Sequence, residues 1–419
     1  MQKKLSAVLL LLLVLHFTSL AQYCVGDNRF TQTPFFNAAD IQEDSVIYAT
    51  ALNWQGVNQN LKLNVFYPKN FVETLSKRPM ILMIFGGAFV SGNRGQMDNY
   101  CKEFAQRGFV AVAIDYRLGK ETVIPCADTL SQEKAVYRAT QDAKAAMRYM
   151  VANAGTYKID TTWLFAGGYS AGAGTANAMV YNSPAELQQV YPSIVSSLGN
   201  INTSGNSLTN TFRVKGIFNN WGGASSDFFD VNEGVPTVSF HGGNDGVVPV
   251  DSAIDVTCIT TSHYIYGSHA LHTKLTAAGI CGDLTVYLSG GHGVYQGGAG
   301  TLMRVSRASC FFKSLFYNSC SNYAATDSLT PSCSNLSLGI RNTGFSNNFS
   351  VYPNPANNNI NIITDNYSGI EIKISDLFGT TVFETKDKNV LDISQLTEGI
   401  YFIQVSQGNR FYTQKLIKQ

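Results

Sequence analysis

From about Leu61 to Phe316 the chain alternates continuous apolar runs with stretches of helical period, and nothing else in the sequence restricts the fold as much. "PMILMIF" (Pro79–Phe85) and "FVAVAIDY" (Phe109–Tyr116) lack the polar alternate positions of a half-exposed strand, so they read as strands buried on both faces. Between them "NYCKEFAQRG" is amphipathic and ends on Gly108, as a helix does. "SQEKAVYRATQDAKAAMRYMVANAG" (Ser131–Gly155) predicts a long helix opened by an N-cap serine and closed by a glycine. "WLFAGG", "VKGIFNN", "TVSFHGG" and "LTVYLSGG" supply further strands. Strand alternating with helix means a parallel sheet covered on both sides, the α/β class. One segment, Ser183–Phe212, breaks the pattern with Ser, Asn and Pro and weak periodicity. It reads as a surface excursion, with a cap over a site as the alternative.

After Tyr317 the texture changes. "NSCSNYAATDSLTPSCSNLSLG" is rich in Ser, Asn and Thr and reads as a linker over 318–345. Residues 346–419 carry short alternating segments, "NINII", "IEIKISDL", "TVFET", "NVLDIS", "IYFIQVS" and "FYTQKLIK", separated by Gly and Asn turns. That is the pattern of a small all-β, Ig-like sandwich, and no Ser, His and Asp gather there. At the other end Lys3 and Lys4 precede the apolar run Leu5–Leu15, and Ser19-Leu20-Ala21 offers the small residues of a cleavage site. Residues 1–21 therefore read as a signal peptide, leaving 22–317 as the α/β domain. Gln22 and Tyr23 make a poor lipoprotein context for Cys24, and no other stretch is long enough to span a membrane.

Composition narrows the function classes. A formal net charge of +1 gives no electrostatic footprint for nucleic acid or an anionic membrane. Only 14% of residues are charged, which suits a polar but weakly ionic extracellular surface. The eight cysteines all follow the export signal, so disulfides are expected, and their spacing lacks the C-x-x-C pairs of a zinc site. Proximity suggests Cys258 with Cys281, and one pair among Cys310, Cys320 and Cys333.

Chemistry concentrates around Ser170. Gly168-Tyr-Ser170-Ala-Gly172 fits G-x-S-x-G, the strand-to-helix turn that presents a serine nucleophile, although a chain with 37 glycines could hold that pattern by accident. A serine hydroxyl needs a base, usually a histidine oriented by a carboxylate, and on a parallel sheet these come from loops at the strands' carboxyl ends. His292, in "LSGGHGV", lies in such a loop after the last expected strand of the sheet. Asp245, in "TVSFHGGNDGVVP", follows another and precedes His292, giving the order nucleophile, acid, base. His241 precedes that acid and reads as a structural histidine at a strand end; Asp251 and Asp255 read as helix-start charges. His263, His269 and His272 fall in helical or loop sequence, the last two on a solvated face rather than at a metal. "FGGAF" (Phe85–Phe89) lets backbone N–H groups approach a developing oxyanion, with Ala171 N–H as the second source.

In sequence order, "FGGAFVSG", "VAIDYRL", "QDAKAAMRYM", "GGYSAGAG", "HGGNDGVVP" and "GGHG" resemble the α/β-hydrolase fold in its carboxylesterase/lipase branch, over about residues 45 to 316. The resemblance implies Ser170 as nucleophile, Asp245 as acid and His292 as base. It implies an oxyanion hole from the N–H groups of Gly87, Ala88 and Ala171, an ester substrate, and neither cofactor nor metal. Two positions depart from the family: Phe85 stands where a histidine is usual, and Ala173 where many members have glycine. "VYPNPANNNINI", "ISDLFG", "GIYFIQV" and "KLIKQ" resemble the C-terminal sorting domain of Bacteroidetes type IX secretion, which implies engagement of that machinery and a secreted or cell-surface protein. A peptidase on the same scaffold and a non-catalytic hydrolase-like binding protein are the rival readings. Substrate size should be set by the Trp221 loop, by Tyr169 and by Ser183–Phe212.

Overall fold

The computed structural model describes residues 23, 27–119, 129–254, 264–294, 296–327, 350–363, 369–376, 380–407 and 410–419. The expected signal peptide, Cys24, Asp255, Cys258, His263, Cys333 and most of the expected linker lie outside them. The chain divides into two units, one ending at Ser334 and one beginning at Asn335.

In the first unit nine strands form one sheet: β1 (Ile41–Leu52), β2 (Asn58–Pro68), β3 (Arg78–Ile84), β4 (Val110–Ile114), β5 (Ile159–Tyr169), β6 (Val214–Asn220), β8 (Thr237–Gly242), β11 (Gly282–Tyr287) and β12 (Tyr323–Thr326). The short β7 (Ala224–Ser225), β9 (Ser252–Ile254) and β10 (Tyr264–Tyr266) make a separate three-stranded sheet. The large sheet runs β1-β2-β4-β3-β5-β6-β8-β11-β12. From β4 to β12 all pairings are parallel, while β1 and β2 pair antiparallel at one edge. The sheet is therefore mixed, and the alternation that begins near Leu61 could not show its antiparallel edge. Every residue of β3 and β4 is buried, as strands covered on both faces must be.

The helices are α1 (Asp98–Gln106), α2 (Thr129–Ala152), α3 (Ala154–Tyr157), α4 (Ala171–Tyr181), α5 (Pro184–Val190), α6 (Pro192–Leu198), α7 (Ser268–Ala277) and α8 (Gly298–Phe316). α1 packs beside α8 and α2 beside α4. Phe165 of β5 stacks on Phe312 of α8 at 4.0 Å between ring centres, and Phe218 of β6 meets Phe104 of α1 edge-on at 5.6 Å. Ser131 does not cap α2: the helix starts two residues earlier and the serine is buried within it.

The excursion after α4 is α5, α6 and the turns around them. Four residues of α2 tie it down: Tyr137 Oη donates to Gly199 C=O at 2.7 Å and Gln141 Nε2 to Leu198 C=O at 2.9 Å. Lys144 Nζ reaches Asn202 Oδ1 at 3.1 Å, and Arg148 Nη2 reaches Ser204 C=O at 2.6 Å. Steps of four, three and four residues keep these side chains on one helix face. The segment thus lies along α2 as an excursion, and the cap alternative is set aside.

Two sequence expectations change here. Cys281 pairs with Cys320, with Cα atoms 6.1 Å apart, so the proposed Cys258–Cys281 bridge is wrong. Nearness in sequence misled because β12 returns to pair parallel with β11 and brings Cys320 beside Cys281. Likewise the linker does not begin at 318, since Tyr323–Thr326 is a strand of the sheet. Its Ser/Asn-rich surroundings hid it.

The second unit holds β13 (Ser350–Tyr352), β14 (Asn359–Ile363), β15 (Ile370–Ser375), β16 (Thr381–Lys386), β17 (Val390–Asp392), β18 (Gly399–Gln407) and β19 (Arg410–Lys418). They form two antiparallel sheets, β13-β14-β17 and β16-β15-β18-β19. The alternation "IEIKIS" buries Ile370, Ile372 and Ile374 in a core with Ile360, Ile403 and Leu416.

Candidate active site

β5 ends on Tyr169 and α4 begins at Ala171, so Ser170 is the one residue between strand and helix. Its backbone sits at φ 52° and ψ −126°, the strained conformation a sharp strand-to-helix turn requires. The flanking glycines answer a need for space. A Cβ on Gly168 or Gly172 would lie 2.1 Å from the carbonyl oxygen of Ile84 on β3. Asn220, at the end of β6, clamps the turn: Ser170 N–H donates to its carbonyl at 2.9 Å, and its Nδ2 donates to Gly168 C=O at 2.8 Å.

His292 lies between β11 and α8, with Nε2 at 2.8 Å from Ser170 Oγ. Its Nδ1 is 2.9 Å from Asp245 Oδ2 and 3.1 Å from Oδ1. With a carboxylate at Nδ1 the ring proton belongs there, which leaves the Nε2 lone pair facing the serine hydroxyl. The three side chains thus meet at the carboxyl ends of β5, β8 and β11, where a ligand crevice is expected on a parallel sheet. Asp245 is shielded from solvent and His292 is a quarter exposed. Asp245 Oδ1 also accepts the N–H groups of Val247 at 2.8 Å and Val248 at 3.0 Å. Burial by itself would raise the Asp245 pKa. Hydrogen bonds from His241, His292 and the two N–H groups outweigh it and hold the carboxyl well below the usual carboxylate range.

Gly87 and Ala88 border the space in front of Ser170. The chain there takes left-handed conformations in succession, with φ 119° at Gly87 and 51° at Ala88. A Cβ on Gly87 would fall 2.2 Å from Ser91 O, so that position admits only glycine. Ala171 opens α4, and its N–H has no acceptor within the helix. Phe85, in place of the family's histidine, is buried and stacks on Tyr116 at 4.4 Å, while Tyr116 Oη donates to Phe85 C=O at 3.1 Å. The loop is anchored by an aromatic pair where a polar side chain was expected.

His241 is the residue that sequence reasoning placed too far from the chemistry. It is fully buried, and its Nε2 lies 3.2 Å from Asp245 Oδ2. Its place four residues before the acid, in "HGGND", was the available signal. Asp251 starts no helix; it pairs with exposed His269 of α7. Among the described residues no cluster of His, Cys, Asp and Glu is arranged to hold a metal.

Two hollows meet at Ser170, and Ala88 and Val247 border both. One is an open cleft of about 1080 Å³ that includes His292, Tyr169, Trp221, Gln96 and Lys102. The other holds about 130 Å³ and is mostly apolar, walled by Phe89, Val136, Gly174, Ala178 and Phe228, with Gln132 and Glu133 among its polar members. Trp221 and Tyr169 border the cleft as expected. No residue of 183–212 lines either hollow, so that part of the expectation fails.

Residues 63–233 match the BD-FAE family, and residues 350–419 match the secretion system C-terminal sorting domain. The first match includes Ser170 and stops before Asp245 and His292. No curated protein matches the chain. Similar solved structures include Thermogutta terrifontis esterase 2 phosphorylated by paraoxon, at 20% identity and TM-score 0.43, covering 64% of this chain and 91% of that one. The same esterase with propionate bound has 19% identity and TM-score 0.45, covering 66% and 93%. Its form phosphoramylated by tabun has 20% identity and TM-score 0.45, covering 65% and 94%.

Proposed function

We propose that this chain, an α/β-hydrolase with a BD-FAE match and a C-terminal sorting domain that marks it as secreted or cell-surface, hydrolyses carboxylic esters through Ser170, His292 and Asp245. One observation carries the reading: Ser170 Oγ, His292 Nε2 and Nδ1, and the Asp245 carboxylate form an unbroken hydrogen-bonded line at 2.8 and 2.9 Å.

His292 Nε2 takes the Ser170 proton as Oγ attacks the ester carbonyl. The N–H groups of Gly87, Ala88 and Ala171 receive the negative charge on the carbonyl oxygen. His292 then gives its proton to the departing alkoxide, leaving an acyl group on Ser170. Water, deprotonated by His292, attacks that acyl group; the acid leaves and the hydroxyl is restored.

The proton donated to the leaving alcohol starts on His292, so the alcohol must depart on the His292 side. That side is the large cleft, which His292 borders. The acyl chain then points into the small apolar hollow, which Ser170 and Ala171 border and His292 does not. Hydrolysis of p-nitrophenyl butyrate by the chain and by Ser170→Ala tests the reading. Equal rates for the two proteins would end it.

A further inference from the structure

The Asp245 carboxylate is gripped at both oxygens, and the two grips differ. Oδ1 accepts the N–H groups of Val247 and Val248, which belong to its own turn. Oδ2 faces two imidazoles, His292 Nδ1 at 2.9 Å and His241 Nε2 at 3.2 Å. His241 Nε2 also lies 3.0 Å from Val248 C=O. Both of its neighbours are acceptors, so Nε2 carries a proton. On the far edge of the ring, Nδ1 lies 2.7 Å from Ser268 Oγ, and Ser268 Oγ accepts from Asn219 Nδ2 at 3.0 Å. The serine's own proton then points at Nδ1, which fixes His241 as the neutral Nε2–H tautomer. Asn219, His241 and Ser268 are all fully buried, so this imidazole borders neither hollow and is no spare base.

Resting on the hydrolase reading above, we propose that His241 is a positioning residue: its Nε2–H, donated to Val248 C=O and 3.2 Å from Asp245 Oδ2, fixes the Asp245–Val248 turn and with it the rotation of the carboxylate toward His292. Without that donor Val248 C=O would lose this partner, and the turn whose N–H groups hold Oδ1 would be freer to shift the carboxylate relative to His292 Nδ1. Imidazole suits the place because its two nitrogens lie on opposite edges of a rigid ring, which spans from Ser268 at the start of α7 to the acid after β8. The brace ends on β6, the strand whose Asn220 clamps the turn of Ser170. Consecutive side chains of a strand point to opposite faces. Asn220 accordingly secures the Ser170 turn while Asn219 reaches Ser268 and, through it, His241. Two adjacent buried asparagines of β6 thus support both ends of the catalytic line.

The test compares His241→Phe, His241→Gln and Ser268→Ala in the full chain. kcat and KM for p-nitrophenyl butyrate are measured per active site titrated with a fluorophosphonate, alongside Tm. Loss of a positioning contact lowers kcat and spares KM: His241→Phe is expected to lose about ten-fold in kcat with KM changed less than about two-fold. His241→Gln can keep an N–H toward Val248 C=O and should recover most of that loss, although both variants give up the imidazole's hydrogen bond with Ser268 Oγ and fall similarly in Tm. Ser268→Ala leaves the ring in place but unfixes its tautomer, and should lose about three-fold. An unchanged kcat per titrated site in His241→Phe, or equal losses in Phe and Gln, would overturn the proposal. Should His241→Phe not fold, the comparison of Ser268→Ala with His241→Gln decides: the first must slow turnover more than the second. An unaltered chain whose turnover does not depend on Ser170 would instead sink the hydrolase reading, and this proposal with it.

Discussion

The hollows on either side of Ser170 differ about eight-fold in volume, 1080 Å³ against 130 Å³. They differ in chemistry as well: Gln96, Lys102, Tyr169 and Trp221 border the cleft, while alanine and valine are the commonest residues lining the pocket. A hydrolase needs its nucleophile to reach both parts of an ester, yet it need not be equally selective toward each. In the proposed mechanism the open side receives the alcohol and the closed side the acyl chain. In that proposal His292 decides which is which, because a base that returns its proton to the leaving group must stand beside it.

The sharpest way to break this comparison is Ser170→Ala. Turnover of every ester, whichever half is varied, should fall by at least ~10⁴-fold, measured as kcat/KM. Asp245→Asn should lower kcat by about 10³- to 10⁴-fold, again without regard to acyl or alcohol, because Asp245 borders neither hollow. The asymmetry itself is read by Gly174→Ala. A Cβ there meets only Gly223 O at 3.7 Å, an ordinary contact, so the methyl narrows the pocket without strain. The ratio of octanoyl to acetyl turnover should drop by roughly ten-fold, since a methylene-sized misfit is worth about 1–3 kcal/mol. A panel of alcohols on one acyl group should stay within about two-fold; a shift in the alcohol panel instead would reverse the assignment.

Asp245 also predicts a stability difference. Its folded carboxyl is held below the unfolded value of about 3.9, so its contribution is present above that pH and is lost as pH falls toward the folded value. Between pH 5 and pH 3 the Tm of the unaltered chain should fall further than that of Asp245→Asn. The smallest expected effect concerns the C-terminal unit. It has a core of its own, and its sequence contains neither histidine nor cysteine. Removing residues 335–419 should leave kcat/KM within about two-fold while preventing delivery to the medium or the cell surface. A large kinetic loss would show that the division of labour is wrong.

Much of this was legible in the chain. Uninterrupted apolar runs such as "MILMI" announce a doubly covered strand, and Gly168-x-Ser170-x-Gly172 announces the strand-to-helix turn, whose glycines make room for Ile84 of β3. Asp245 and His292 could be singled out because a parallel sheet exposes its loops at one end. What escaped notice depended on returning chain. β12 was hidden in linker-like composition, and the bridge from Cys281 to Cys320 with it. The face of α2 carrying Tyr137, Gln141, Lys144 and Arg148 is covered by the excursion it binds.

By itself the sequence determined the classes of its elements and the order of the proposed Ser170, Asp245 and His292, since hydrophobic periodicity acts locally and chain order is sequence itself. Only the tertiary structure decided that His241 is tied through Ser268 to Asn219, that one side of the serine is roomy and the other close, and that residues 183–212 stay away from both. Those facts are distances between residues tens to hundreds of positions apart, fixed by how strands stack in the sheet, and local pattern holds no measure of them.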